Sequence, residues 1–346
     1  MRFDKAVIIL KNKFFILGLM AALLAVIFII LDRATIYEKK DLAYGVTFSK
    51  QQAIGLGLDW RKVYLETFND LGVRKIRLSA YWNEIEAQAD EYQWGDTDWQ
   101  IQTASGYDAD IILAVGERLP RWPECHFPSW TSGVDEQTKE AKLFDYIKAT
   151  VLRYKNNSHI IAWQVENEPF LPNFGECPPL NTDTLDREIA LVRSLDTRPV
   201  VITDSGELSI WIQAASRADI FGTSIYRDTY SKRLGQYIHY PITPDFFRIK
   251  KNLVALFAKP AKWIVIELQA EPWGRTPFQD LSKKERDRTM DEQKFKDMIE
   301  FARQTGFREF YLWGVEWWYW EKTVQNDPAL WADARALFNK TEIVSK

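Results

Sequence analysis

Histidine, cysteine and methionine are scarce in this 346-residue chain, with three, two and four copies respectively. His126, His159 and His239 lie far apart and form none of the spacings that hold zinc. Two cysteines cannot staple so long a chain, so stability has to come from an apolar core. Basic runs are missing beyond the N-terminal segment, and 45 basic against 48 acidic side chains leave a formal charge of −3, which excludes nucleic acid as the partner. Low-complexity stretches are missing too, and 46% hydrophobic with 27% charged residues excludes disorder as the dominant state. No GxGxxG follows the first strand candidate, and no metal, nucleotide or flavin signature occurs, so no cofactor is expected. What is abundant is aromatic: 15 Trp, 14 Tyr and 20 Phe. Many lie beside Gly, Pro and carboxylates, where a buried core does not need them.

The longest apolar run, Phe14 to Leu31, has 18 residues without a polar or charged side chain. As a helix it would reach about 27 Å, close to the roughly 30 Å hydrocarbon core of a bilayer. Arg2, Lys5, Lys11 and Lys13 precede it against Asp4 alone, so the positive-inside rule puts residues 1–13 in the cytoplasm. The segment that follows offers no convincing small-residue cleavage site, which favours an uncleaved anchor over a signal peptide. The reading is a cytoplasmic N-terminus (1–13), a transmembrane signal anchor (14–31), a linker (32–43) and an extracytoplasmic domain (44–346). A cleaved signal peptide is the main competing reading of 14–31, and a helix buried in the core the lesser one. The first 40 residues hold seven basic and three acidic side chains, which leaves 38 against 45, or −7, on the exported part. Export also permits a disulfide between Cys125 and Cys177, each in a Pro-rich loop; two free buried thiols are the alternative.

Beyond the anchor one unit recurs eight times, a short β-branched or apolar run followed by a helical pattern. The strand candidates are 44–49, 73–80, 110–116, 159–167, 198–204, 219–226, 263–268 and 308–314. Runs without polar alternation suit parallel strands buried on both faces. Segments such as DEQKFKDMIEFARQTG have the apolar spacing of a helix lying on a sheet. Eight such units in about 300 residues predict a (β/α)₈ barrel preceded by a single transmembrane helix.

Barrel chemistry belongs at the C-terminal ends of strands. Two carboxylates stand out there. Glu168 follows the fourth strand in Trp163-Gln164-Val165-Glu166-Asn167-Glu168-Pro169, and Glu267 ends the seventh in Trp263-Ile264-Val265-Ile266-Glu267. Strands four and seven face each other across the mouth. Two carboxyls so placed suit acetal hydrolysis, one protonating the leaving oxygen and the other capturing the oxocarbenium-like centre. Parity makes Glu271 a competing nucleophile and Glu166 a weaker competing acid/base.

Asn167-Glu168-Pro169 after strand four, with Glu267 after strand seven, resembles the clan A glycoside hydrolases, retaining (β/α)₈ enzymes that include cellulase-like and β-galactosidase-like families. Arg77, Tyr226 and Trp313 match further clan positions, over residues 44 to about 340. The resemblance implies Glu168 as general acid/base and Glu267 as nucleophile. It implies Asn167 at the sugar 2-hydroxyl, Arg77 and Tyr226 holding the nucleophile, and Trp313 as the floor of the reacting-sugar subsite. The chain departs from the clan in Ser224-Ile225-Tyr226, where many members carry His-x-Tyr, and in Leu268-Gln269, where Phe-Gly is frequent.

Sugars pack their C–H faces on aromatic rings while acids take their hydroxyls, so Trp82 and Glu316 join the expected substrate-binding residues. Of the tryptophans that follow strands (82, 122, 130, 273, 313, 317, 318 and 320), about half are expected in the core. The expected function is a membrane-anchored retaining glycoside hydrolase acting on a β-linked oligo- or polysaccharide. A transglycosylase using the same residues and a non-catalytic glycan-binding barrel are the alternatives.

Overall fold

A computed structural model describes residues 17–23, 25–26, 29, 42–172, 174–179 and 181–342. Eight parallel strands close into a barrel: β1 (Ala43–Thr47), β2 (Lys75–Ser79), β3 (Asp110–Val115), β4 (Ile160–Val165), β5 (Val200–Asp204), β6 (Ile220–Ile225), β9 (Lys262–Gln269) and β10 (Glu309–Trp313). Each coincides with a strand read from the sequence, with ends that differ by at most two residues. The hairpin β7 (Asp228–Ser231) and β8 (Gln236–His239) is inserted after β6 and was not read from the sequence.

Helices alternate with the strands: α1 (Lys50–Gly55), α2 (Trp60–Asn69), α3 (Trp82–Ile85), α4 (Gly95–Gly106), α5 (Glu136–Tyr154), α6 (Thr182–Leu195), α7 (Ile212–Arg217), α8 (Pro244–Val254), α9 (Lys283–Arg286), α10 (Glu292–Gln304), α11 (Val315–Val324) and α12 (Ala329–Glu342). Their starts are written in the sequence. Asp59, Asp135, Asn181 and Asp291 cap α2, α5, α6 and α10 by accepting backbone N–H bonds.

Two apolar layers result. Ile112, Ala162, Val201, Ile264, Ile266 and Tyr311 fill the barrel interior, while Val46, Leu113, Val165, Ile202, Val265 and Leu268 face the helices. Strict alternation breaks in β9. Val265 points outward, Ile266 inward and Leu268 outward again, and the register against β6 and β10 shifts there. This bulge turns Glu267 inward beside Ile266, where regular pleating would have sent it into the helix layer.

Of the expected anchor, residues 17–23, 25–26 and 29 are helical, and the rest of 14–31 lies outside the described residues. Leu17, Leu19, Met20, Leu23, Val26 and Ile29 are 51–68% exposed, so they are not part of the core. Among the described residues no helix is long and apolar enough to cross a membrane. Residues 1–13 and most of the linker lie outside the described residues.

Candidate active site

The mouth of the barrel is built around Arg77, wholly buried in the middle of β2. Its three nitrogens go to three elements. Nε donates to Gln164 on β4 (2.8 Å), Nη2 to Asn167 (2.6 Å) and Nη1 to Glu267 on β9 (2.7 Å). Tyr226, just past β6, donates its hydroxyl to the other oxygen of Glu267 (3.0 Å). Both oxygens of Glu267 are thus held by donors, one charged. That leaves their remaining lone pairs as nucleophile positions in a fixed orientation.

Glu168 has the opposite surroundings. Its backbone N–H is pinned to the Thr203 hydroxyl (2.7 Å), but its Oε1 is buried without a partner. Burial, and after it the charge of Glu267, holds its carboxyl well above the ordinary carboxylate range. A carboxyl of raised proton affinity beside one paired with a guanidinium is the division of labour that acid-assisted displacement requires. Glu166 and Glu168 both have positive φ (57° and 44°), so the chain leaving β4 turns through two strained residues to present them.

Glu166, the weaker competitor, is taken up by backbone donors. Its two oxygens accept the backbone N–H groups of Glu117 (2.8 Å) and Arg118 (2.7 Å), which ties the end of β4 to the loop after β3. Gly116 (φ 130°) permits this, because a Cβ there would lie 2.1 Å from Glu166 Oε1. Glu271 also lies beyond β9, as its loop position suggests, and is taken up by Arg121 and by Trp313 Nε1 (2.7 Å).

Two expected substrate contacts are corrected. Trp82 is fully buried, donates to Glu86 (2.8 Å) and stacks on Tyr146, so its ring belongs to the core. Glu316 is fully buried at the start of α11, where it accepts from the Ser49 backbone and from Arg121 (2.9 Å). Trp313 does reach the site, but the Arg121 guanidinium lies 4.1 Å from its ring centroid. Trp317, Trp318 and Trp320 are buried around α11, whereas Trp122 is exposed and Trp273 half-buried.

Three participants escaped the sequence reading. Arg121 and Glu124 sit in the loop after β3, both with positive φ, and nothing in a loop composition of Pro, Trp and charge marks them. Glu124 accepts from Asn167 Nδ2 (3.1 Å), and burial together with the charge of Glu267 pushes its carboxyl up to about 8. Trp273 was named only among the tryptophans. It stacks on Phe174 (6.3 Å) and meets Tyr226 edge-on (5.3 Å), forming an aromatic wall beside the tyrosine that holds Glu267. Cys125 and Cys177 form a disulfide that joins the loops after β3 and β4. Among the described residues no group of three or more His, Cys, Asp or Glu side chains is placed to hold a metal ion.

No protein-family model and no curated protein matches the sequence. Solved structures do. Native xylanase 10B from Thermotoga maritima superposes with a TM-score of 0.57 at 13% identity, over 89% of this chain and 98% of that one. A glycosylated endo-β-1,4-xylanase of glycoside hydrolase family 10 from Gloeophyllum trabeum gives 0.56 at 15% identity, over 86% and 96%. A β-glucosidase from Exiguobacterium marinum gives 0.51 at 12%, over 80% and 90%. At such identities the likeness speaks for architecture: the chain has the (β/α)₈ barrel fold that these glycoside hydrolases share.

Proposed function

We propose that the chain is a retaining glycoside hydrolase that cleaves a β-glycosidic bond by double displacement. The observation that carries this reading is the asymmetry of two buried carboxyls at the C-terminal ends of β4 and β9, three strands apart in the barrel. Glu267 has both oxygens held by Arg77 and Tyr226, while Glu168 keeps an unpartnered Oε1 and a raised proton affinity. Glu168 donates its proton to the leaving oxygen as Glu267 attacks the anomeric carbon, giving a covalent glycosyl-enzyme. Glu168, now a carboxylate, takes a proton from water, which displaces Glu267 and restores the anomeric configuration. The (β/α)₈ fold and the Asn167-Glu168-Pro169 segment support the assignment to clan A.

The test is kinetic. Glu168→Gln removes the acid and is expected to cost about 10²–10⁴-fold on substrates with poor leaving groups. The loss is smaller on a dinitrophenyl β-glycoside, whose leaving group needs no proton. Glu267→Gln abolishes turnover on both. Wild-type-like turnover in either variant overturns the assignment. A wild type that binds β-glycans and cleaves none is a lectin-like barrel, and transfer products beside free sugar would mark a transglycosylase.

The same proposal places the barrel outside the cytoplasm on an anchor at 14–31. Its support is the 18-residue apolar run, its basic flank and the exposure of its described apolar side chains.

A further inference from the structure

A chord drawn across the mouth from β4 to β9 joins the two catalytic carboxyls. It leaves β5 and β6 on one side and β10, β1, β2 and β3 on the other. A polymer cleaved at an internal bond has to cross this chord and continue over both halves. Over the larger half its path meets the loop after β3.

Arg121 reaches from that loop to the far rim. It pairs with Glu271 beyond β9 and with Glu316 beyond β10 (2.9 Å), and it covers the ring of Trp313. β3 and β9 are diametrically opposed, so this bridge runs beside the catalytic chord, displaced from it by about one strand. The next residue, Trp122, carries Lys232 of the β7–β8 hairpin 4.6 Å from its ring centroid, a second crossing from β3 to β6.

The loop is fastened along its length. Arg118 donates to the carbonyls of Leu171 (3.2 Å) and Phe174 (3.1 Å), Tyr81 to that of Pro120 (2.8 Å), and Cys125 is bonded to Cys177. Asn83 N–H bonds to His126 O (3.1 Å) and Glu176 N–H to Pro123 O (2.9 Å). The hairpin is fixed as well. Gln269 accepts from the backbone of Arg227 and Asp228 and donates back to Asp228, and Arg288 lies over Tyr237. Gln269 is one of the positions at which the sequence departs from the clan.

We propose that the loop of residues 117–128, through Arg121, is a fixed wall that ends the cleft next to the catalytic carboxyls. The enzyme therefore takes terminal residues of β-linked chains or short β-glycosides and does not cut inside a polymer. The inference rests on the glycosidase reading above. Specificity here is a matter of excluded length: a chain continuing past the reacting sugar would have to displace a buried arginine and leave Glu271 and Glu316 unpaired.

The full chain is assayed on aryl β-glycosides and, separately, on soluble carboxymethylcellulose, β-1,4-xylan and β-1,4-mannan, reading viscosity and reducing ends together. Expected is monosaccharide release from the aryl glycosides and from the polymer that carries the accepted sugar, with viscosity retained as reducing ends accumulate. Arg121→Ala opens the wall and is expected to raise the viscosity lost per reducing end formed, whatever its total yield. If that variant does not fold, the wild-type ratio of viscosity to reducing ends decides alone. A wild type that hydrolyses aryl glycosides and thins a polymer as fast as it creates ends overturns the wall and leaves the glycosidase reading standing. No hydrolysis of any substrate overturns both.

Discussion

Two carboxyls beside Asn167, those of Glu124 and Glu168, feel the charge of Glu267. Glu168 and Glu124 are both pushed upward by burial and then by the charge of Glu267. Glu124, at about 8, keeps its proton at neutrality and loses it on the basic side, and Glu168 is shifted in the same direction, so the proposed activity should fall as pH rises through the raised values. Glu124, at about 8, accepts a hydrogen bond from Asn167 and on ionising places a second negative charge beside Glu267. Glu124→Gln keeps an acceptor for Asn167 and cannot ionise. The basic limb of kcat/KM should accordingly soften from a two-proton to a one-proton slope, while Glu124→Ala loses the acceptor and about tenfold in kcat/KM, the scale of one hydrogen bond. An unaltered basic limb in the Gln variant would remove Glu124 from the titrating set. At this scale the sequence was legible where chemistry announces itself. Asn-Glu-Pro and a Glu ending an apolar run were readable, and Arg77 came with them. Glu124 and Arg121 were not, because their roles depend on a loop folding back across the mouth. Glu267 ends the apolar run of its strand, yet the bulge in β9 is what turns it inward, and alternation alone cannot reveal a bulge.

The elements tell a similar story with different exceptions. All eight barrel strands stood out because strands buried on both faces are short, apolar and spaced by helical patterns. The β7–β8 hairpin stayed hidden: its strands have four residues each, are half-exposed and lack an apolar face. Trp317-Trp318-Tyr319-Trp320 is buried on all sides of α11, which is why aromatic abundance at that rim overstated the sugar-binding surface. Between α5, α6 and the end of β4 lies a further consequence. Glu117, Glu166 and Glu188 line a cavity of about 280 Å³, and burial raises all three, Glu166 to about 8. For Glu166 and Glu188 the next influence is a neighbouring carboxylate, Glu117 and Glu166 respectively. The folded state then holds protons that the unfolded chain releases near the ordinary value of 4.5. This contribution to stability is present in acid and fades as pH climbs through the folded values. Glu188→Gln removes one charge that would otherwise be buried. Its melting temperature should exceed that of the wild type by more at pH 8 than at pH 5, measured by calorimetry at both. An equal shift at the two pH values would mean that Glu188 acts through packing alone.

On the scale of the molecule, connectivity sets how the barrel would stand on a membrane. The chain enters β1 at Ala43, at the N-terminal face, whereas Glu168, Glu267 and the Arg121 wall occupy the C-terminal face. A tether at residues 14–31 joined through 32–42 would approach from the face opposite the mouth. Such a linker is at most about 35–40 Å when fully extended, so on the proposed anchor the barrel would stay near the bilayer with its mouth turned outward. That orientation suits a substrate arriving from the extracytoplasmic side and does not suit a lipid headgroup, which lies on the wrong face. Removing residues 1–41 should therefore move the protein from the membrane pellet to the soluble fraction. It should leave kcat/KM on a soluble aryl β-glycoside and the melting temperature of the barrel where they were, since the described apolar residues of the segment do not belong to the core. Retention in the pellet after truncation would place the membrane affinity in the barrel. A drop in melting temperature would mean that the segment packs on the barrel after all. Apolar length, basic flank and exposed side chains together favour release with activity intact.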